Sequence, residues 1–144
     1  MKQQTGAAAW TGSITEGIGS ISAQSGVLQN APYGFKARFE NGPGTNPEEL
    51  IGAAHAGCFT MALSVELGKA GLTADSLKTI ATVTLDKSAD GFSITAIHLD
   101  LLGIVPGADQ ATFAKIANDA KVGCPVSKLF KGNAEITLDA TLES

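Results

Sequence analysis

Two cysteines, Cys58 and Cys124, are the residues of this sequence best suited to covalent chemistry. Cys58 lies in the middle of a predicted helix, where no helix end lowers its pKa. An unassisted thiol with a pKa of about 8.5 is only a few per cent thiolate near neutral pH, so Cys58 needs a cation beside it to react. Cys124 precedes Pro125, which suits the first position of a short helix, so local physics makes Cys124 the better thiolate. Taken alone, each cysteine is more often an inert buried residue.

Arg38 is the candidate cation, because it is the only arginine beside nine lysines. Its segment, Tyr33 to Phe39, alternates apolar and polar residues and predicts a strand with Arg38 on the polar face. An arginine stays charged when buried and can hold a carboxylate through paired hydrogen bonds. An exposed arginine on a strand fits the same pattern.

His55 lies three residues before Cys58 on the same helix face. The spacing allows a Cys–His nucleophile pair or half of a zinc site. A four-ligand zinc site would need both histidines and both cysteines, including His98 in a predicted strand, so we expect no metal. A packed core histidine is the favoured interpretation of His55.

Composition and motifs exclude several function classes. The 144 residues are 44% apolar and 17% charged, which supplies an ordinary core and argues against disorder. A formal charge of −4 argues against nucleic acid and anionic membranes as partners. The sequence has no G-x-G-x-x-G or P-loop motif and no G-x-S-x-G elbow, so neither nucleotide binding nor serine hydrolysis is supported.

The local patterns predict a single α+β domain over residues 1–144. The long helix should begin at its cap, Asn46, with Pro47 at the first position, and run to about Lys69, closed by Gly71. Its middle is apolar on nearly every side, so we expect it to be buried all round by its own sheet or by a partner subunit. The other predicted elements are strands at Trp10–Ile14, Ile18–Ser22, Tyr33–Phe39, Ile80–Asp86, Phe92–Val105 and Ala134–Leu142, a helix at Asp109–Val122, and a short helical turn ending at Phe130.

The N-terminal residues carry no recognisable targeting signal. The uncharged run between Glu49 and Glu66 has 16 residues, about 24 Å as a helix, which is short of a bilayer core of about 30 Å. We therefore expect a soluble, cytoplasmic protein with reduced thiols and no membrane partner.

Four segments together resemble the osmotically inducible protein C (OsmC) family. The resemblance covers nearly the whole chain in the same order and spacing, and it is closer to the OsmC branch than to the organic hydroperoxide resistance (Ohr) branch. The segments that carry it are Ser25–Leu28, Pro32–Phe35 together with Arg38–Glu40, Gly44–Phe59 and Gly123–Ser127.

The resemblance implies a thiol-dependent peroxidase that reduces organic hydroperoxides in oxidative or osmotic stress defence. It implies an α+β fold with antiparallel sheets packed around long central helices, and an intertwined homodimer with its sites at the subunit interface. By motif position, Cys58 would be the peroxidatic cysteine and Cys124 the resolving one. Arg38 would hold Cys58 as a thiolate, and Glu48 would orient Arg38.

The same resemblance implies no metal, haem or other cofactor. The Cys58 sulfenate would condense with Cys124, and a dithiol reductant, either a lipoylated protein or a thioredoxin-type protein, would reopen the disulfide. The alternative is a non-enzymatic thiol protein, acting as a redox sensor or as a carrier of apolar molecules.

Helix geometry sorts the two adjacent carboxylates, Glu48 and Glu49. Glu48 lies about 80° around the helix from Cys58, whereas Glu49 lies on the opposite side. Glu48 is also about 15 Å along the axis from Cys58, too far for one guanidinium to bridge both groups of the same chain. We therefore expect Arg38 to meet the Glu48 carboxylate of a second subunit.

Overall fold

The chain forms six strands and four helices over residues 1–143, which the computed structural model describes. In chain order they are β1 Gly6–Thr11, β2 Ile18–Ala23, β3 Ala31–Tyr33, α1 Phe35–Phe39, α2 Pro47–Lys69, β4 Ser76–Ser88, β5 Gly91–Ile104, α3 Gln110–Gly123, α4 Pro125–Phe130 and β6 Glu135–Leu142. By its internal contacts the chain divides into two compact units, Met1–Leu50 and the part from Ile51 onward. The interpretation of residues 1–144 as a single domain stays a prediction.

The first unit contains an antiparallel sheet in the order β1-β2-β3. The predicted strand over Tyr33–Phe39 is wrong, because β3 ends at Tyr33 and α1 follows directly. Phe35 and Phe39 are spaced i, i+4, and their rings meet with centroids 5.1 Å apart on one side of this single turn. An alternating strand pattern of seven residues also contains apolar residues four apart, so the pattern alone does not separate a strand from a helical turn. Arg38 therefore lies on a helix and not on the predicted strand.

The second unit contains a mixed sheet in the order β4-β5-β6. β4 and β5 form the predicted antiparallel hairpin, whereas β5 and β6 are parallel, so the expectation of purely antiparallel sheets does not describe this pair. A parallel pair requires a crossover connection, and α3 and α4 supply it. The α+β class is confirmed.

The core of the second unit lies between this sheet and the helices. Side chains from α2, β5 and α3 are fully or almost fully buried in one cluster, which Cys124 joins. Its other members are Phe59, Leu63, Leu67, Ile97, Leu99, Leu101, Val105, Phe113, Ile116, Ala117 and Ala120.

The bounds of α2 follow from its ends, as predicted. Asn46 caps the helix, because its side-chain oxygen accepts the Glu49 N–H at 2.8 Å. Gly71 has φ +74°, the left-handed conformation that commonly follows a helix end, and the Leu72 N–H returns to the Leu67 carbonyl at 2.9 Å. Gly52 lets α2 approach β4, since a Cβ there would lie only 3.1 Å from the Ala81 carbonyl oxygen.

One face of α2 is buried within the chain, and the rest is not. His55, Phe59, Leu63 and Leu67, spaced four residues apart, are at most 1% exposed. Burial all round is therefore not achieved by one chain, because Met61 is 73% exposed on the opposite side. Part of the apolar surface of α2 is therefore exposed in one chain.

Among the described residues, α2 is also long and apolar enough to cross a membrane, judged by length and composition alone. The prediction of a segment too short to cross a bilayer was made only for the 16 uncharged residues between Glu49 and Glu66, whereas the complete helix has 23 residues. The core helix of a soluble protein passes the same test, so this finding is weak evidence for a membrane span.

Candidate active site

The two cysteines meet at the junction of three helices. Cys58 is in the middle of α2, and Cys124 lies between α3 and α4, where its backbone ends one helix and begins the next. Pro125 occupies the first turn of α4, as its fixed φ favours. The two sulfurs are 3.1 Å apart, and both residues are free thiols. The chain thus brings together two thiols that are 66 positions apart in sequence.

The surroundings of Cys58 do not by themselves produce a reactive thiolate. Burial raises the pKa of the Cys58 thiol, and its contact with Cys124 raises it further. The backbone N–H of Val126, in the first turn of α4, bonds to Cys58 and acts in the opposite direction without cancelling the rise. No described cation contributes to the shift. The sequence predicted that Cys58 needs a cation beside it to react, and these surroundings leave that need unmet.

Arg38 and Glu48 form an ion pair within the first unit. The Arg38 Nε and Nη2 groups both donate to Oε1 of Glu48, at 3.1 and 2.9 Å. Glu48 is nearly buried, whereas the Arg38 side chain is 38% exposed. The guanidinium also lies 5.4 Å from the centre of the Phe39 ring. The glutamate therefore fixes one edge of the guanidinium, and its remaining donors have no hydrogen-bond partner among residues 1–143.

The expectation that Arg38 meets Glu48 of a second subunit is wrong, since the pair forms within one chain. The physical reason is the local fold. Because α1 is a helical turn and the loop after it returns the chain to Asn46, Arg38 faces the first turn of α2. The Asn46 amide donates to the Ala37 carbonyl at 3.2 Å and fixes this return.

The sorting of the two carboxylates is confirmed. Glu48 receives Arg38, whereas Glu49 accepts a hydrogen bond from the Thr45 hydroxyl at 2.7 Å. Thr45 precedes the helix, so this second bond stabilises its start and leaves Glu48 to the arginine.

His55 is the core histidine that the sequence favoured. It is fully buried, and its Nε2 lies 2.8 Å from the Ser127 hydroxyl. Burial lowers the pKa of its imidazole from the ordinary value, because it disfavours the charged ring. His98 lies elsewhere, beside Thr137 and Asp139 on the sheet. Within residues 1–143 no three His, Cys, Asp or Glu side chains come together as a metal site.

Two groups at the site were not found by sequence reasoning. The Val126 N–H gives no side-chain signal, and Ser127 is an ordinary serine in the segment after Cys124. The one signal that could have identified Ser127 is its position. It lies three residues after Cys124, just as His55 lies three residues before Cys58.

A partly buried dithiol, with one thiol in the middle of α2 and the other between α3 and α4, defines the chain as a thiol redox protein. The OsmC-like protein family model matches residues 40–139. The chain is 57% identical to Peroxiredoxin OsmC of Escherichia coli over 139 residues, 96% of each chain. It is 36% identical to the Organic hydroperoxide resistance protein of Xanthomonas axonopodis pv. citri over 103 residues, 67% of each.

A solved structure agrees with these relatives. The crystal structure of the Organic Hydroperoxide Resistance Protein OhrB of Bacillus subtilis superposes with a TM-score of 0.71 at 26% identity, covering 95% of this chain and 98% of that one. The chain belongs to the OsmC family, and it is a peroxidase with a role in stress defence.

Proposed function

We propose that the chain reduces organic hydroperoxides to alcohols, with Cys58 as the peroxidatic and Cys124 as the resolving cysteine. The contact of 3.1 Å between their sulfurs is the observation that carries the proposal. A sulfenic acid formed on Cys58 therefore has a second thiol beside it. Relatives named for organic hydroperoxide resistance support the substrate class, as does the packing of Cys58 against the apolar core cluster.

The reaction balances in three steps. The Cys58 thiolate attacks the distal peroxide oxygen, the O–O bond breaks to leave a sulfenic acid on Cys58, and the alkoxide takes a proton and leaves as the alcohol. The Cys124 thiol then attacks the sulfenic sulfur, and the hydroxyl leaves as water with the thiol proton. A dithiol reductant reopens the resulting disulfide by exchange and is itself oxidised to a disulfide.

Arg38 is the cation that this chemistry requires, and we infer that it serves Cys58 of a second copy of the chain. Glu48 precedes Cys58 by ten residues in α2, which is about 15 Å of helix. An Arg38 bonded to Glu48 therefore acts on a thiolate delivered by a partner. The exposed apolar side chains of α2, Met61 and Val65, suit a subunit contact that would bring the two together.

The reductant in this proposal is a protein dithiol, of the lipoylated or thioredoxin type. A partly buried disulfide between Cys58 and Cys124 is reopened most effectively by two linked thiols, because the second thiol resolves the mixed disulfide before it reverses. A cycle that returns both cysteines to thiols also fits a reducing compartment, so we place the protein in the cytoplasm.

Consumption of cumene hydroperoxide tests the proposal directly. With dihydrolipoamide as reductant we expect many turnovers per chain, and with glutathione at matched thiol concentration much slower consumption. Hydrogen peroxide serves as the comparison substrate and should be reduced more slowly. Oxidation that stops after one equivalent with every dithiol would instead describe a redox sensor.

A further inference from the structure

A buried hydrogen bond ties together the two helices that carry the cysteines. His55 in α2 precedes Cys58 by three residues, and Ser127 in α4 follows Cys124 by three. Residues three apart in a helix are neighbours on one face, so the bond lies about one turn from each cysteine. His55 Nε2 and Ser127 Oγ are 2.8 Å apart, and Ser127 is 5% exposed.

The bond is costly to maintain, and the fold does not require a polar residue there. His55 occupies a row otherwise made of Phe59, Leu63 and Leu67, where an apolar side chain would be buried at no desolvation cost. Its Nδ1 is buried and has no partner among residues 1–143, so Ser127 supplies the hydrogen bond that the ring makes. Buried polar pairs in such settings fix geometry more than they add stability.

The fixed position of α4 against α2 matters when Cys58 is oxidised. The Val126 N–H holds α4 against the Cys58 sulfur, but that bond depends on the sulfur itself. Once the thiolate becomes a sulfenic acid, its charge is lost and the bond to it weakens. The bond between His55 and Ser127 involves neither cysteine, so oxidation of Cys58 alters neither of its two partners.

We propose that His55 and Ser127 are positioning residues for the resolving step, which rests on the proposed function of the two cysteines. Their hydrogen bond keeps α4 against α2 while Cys58 is a sulfenic acid, so that Cys124 stays within reach. The sulfurs must close from 3.1 Å to a bond of about 2.0 Å as water leaves. A helix of six residues has little stability of its own, so its position depends on such contacts.

The competing reaction makes the consequence measurable. A sulfenic acid that is not resolved reacts with a second peroxide to give a sulfinic acid, which a dithiol does not reduce. Loss of the bond should therefore leave the first oxidation unchanged, slow disulfide formation, and increase over-oxidation of Cys58.

The test uses Ser127→Ala, which removes the hydroxyl, and Ser127→Thr, which keeps it. The matched control is Thr60→Val, because the Thr60 hydroxyl also bonds from α2 at 2.7 Å, but to Thr79 in β4 rather than to α4. After one equivalent of cumene hydroperoxide, rapid quenching and mass spectrometry follow the Cys58 sulfenic acid and the disulfide separately.

We expect sulfenic acid formation at the wild-type rate in all three variants. Disulfide formation should slow about tenfold in Ser127→Ala, the factor that a hydrogen bond of ordinary net strength represents. Ser127→Thr and Thr60→Val should resolve like the wild type. With excess peroxide, Ser127→Ala should accumulate more sulfinic acid on Cys58 than either.

A second variant separates positioning from simple folding. His55→Leu replaces the ring with an apolar side chain that suits its row. The apolar burial offsets the cost of leaving the Ser127 hydroxyl without its partner, so the free energy of unfolding of the variant should stay within about 1 kcal/mol of the wild type. Its disulfide formation should nevertheless slow as in Ser127→Ala. If Ser127→Ala does not fold, the rate of disulfide formation in His55→Leu tests the positioning role instead.

The possible failures are distinguishable. Wild-type protein that forms no sulfenic acid on Cys58 would overturn the proposed function itself. Normal sulfenic acid formation, followed by wild-type resolution in His55→Leu, would overturn only the positioning role. Slow resolution in Thr60→Val as well would also overturn it, because the effect would then not be specific to α4.

Discussion

At the scale of single residues, the proposed nucleophile and the cation proposed to activate it are each held by their own contacts. Burial raises the pKa of the Cys58 thiol, and no described cation offsets this. Arg38 is held by Glu48 within the first unit of the chain. Its remaining guanidinium N–H groups have no hydrogen-bond partner among residues 1–143. In the proposed mechanism, reactivity at neutral pH depends on a guanidinium that reaches the Cys58 thiolate.

Replacing Arg38 should move the pH at which Cys58 reacts. An opposite charge close to a titrating group shifts its pKa by about 1 to 3 units, so Arg38→Met should raise the Cys58 pKa by that amount. The peroxidase rate of the variant should fall at pH 7 and recover as the pH rises and the thiolate forms. Ultraviolet absorbance of the thiolate measures the pKa in the same samples.

Arg38→Lys is the matched variant, because it keeps the charge and loses the planar donor set. An ammonium does not hold Glu48 and a thiolate in the same fixed geometry, so this variant should also be much less active than the wild type. An unchanged Cys58 pKa in Arg38→Met would show that the arginine does not act on the thiolate.

Replacing Cys58 and replacing Cys124 should affect peroxidase turnover differently. Cys58→Ser should abolish peroxidase turnover, since no sulfenic acid can form there. Cys124→Ser should retain one turnover and then stop with Cys58 trapped or over-oxidised. Mass spectrometry after one equivalent of peroxide distinguishes them, and turnover in Cys58→Ser with a sulfenic acid on Cys124 would reverse the assigned roles.

At the scale of elements, the start of α2 is a structural unit that also places Glu48. Asn46 bonds both to the Glu49 N–H and to the Ala37 carbonyl, so it links the helix cap to α1. Asn46→Ala should lower the free energy of unfolding by about 1 kcal/mol. Urea unfolding measures this, and Thr45→Val, which removes only an exposed side-chain bond, should change it by less than about 0.5 kcal/mol.

The elements that the sequence predicted well are those with local end signals. α2 and α4 were predicted because Asn46, Gly71 and Pro125 each act on the backbone beside them. α1 was missed because Phe35 and Phe39 satisfy both the alternation of a strand and the spacing of a helical turn.

Long-range pairing was beyond any local pattern. The alternation in β6 shows which side chains face inward, but it does not show that β5 is its neighbour or that the two are parallel. The contact between Cys58 and Cys124 likewise came only from the family resemblance, since local physics favoured Cys124 alone as the thiolate. The Arg38–Glu48 pair was anticipated, and its placement within one chain was not, because that depended on α1.

At the scale of the whole molecule, the exposed apolar face of α2 predicts association. Met61→Glu places a charge on that face, so it should convert a dimer into monomers at micromolar concentration. Activity should be lost with the dimer, because Arg38 then has no partner thiolate, while the helical circular dichroism remains. Sedimentation velocity and the peroxidase assay on the same samples measure both.

Val122→Glu is the control, since Val122 is also an exposed apolar residue but lies near the end of α3. It should leave association and activity as they are in the wild type. Full activity in a verified Met61→Glu monomer would contradict the shared site.

The distance in sequence between the two cysteines has a further consequence, for thermal stability. A bond between Cys58 and Cys124 closes a loop of 66 residues in the unfolded chain. By the chain-entropy relation such a loop destabilises the unfolded state by about 4 kcal/mol. Scanning calorimetry should therefore find the peroxide-treated protein melting about 10 °C above the reduced one, with no such rise in Cys124→Ser. Each turn of the cycle then passes through a form that resists heat better than the resting protein, and the reductant must act on the more stable of the two.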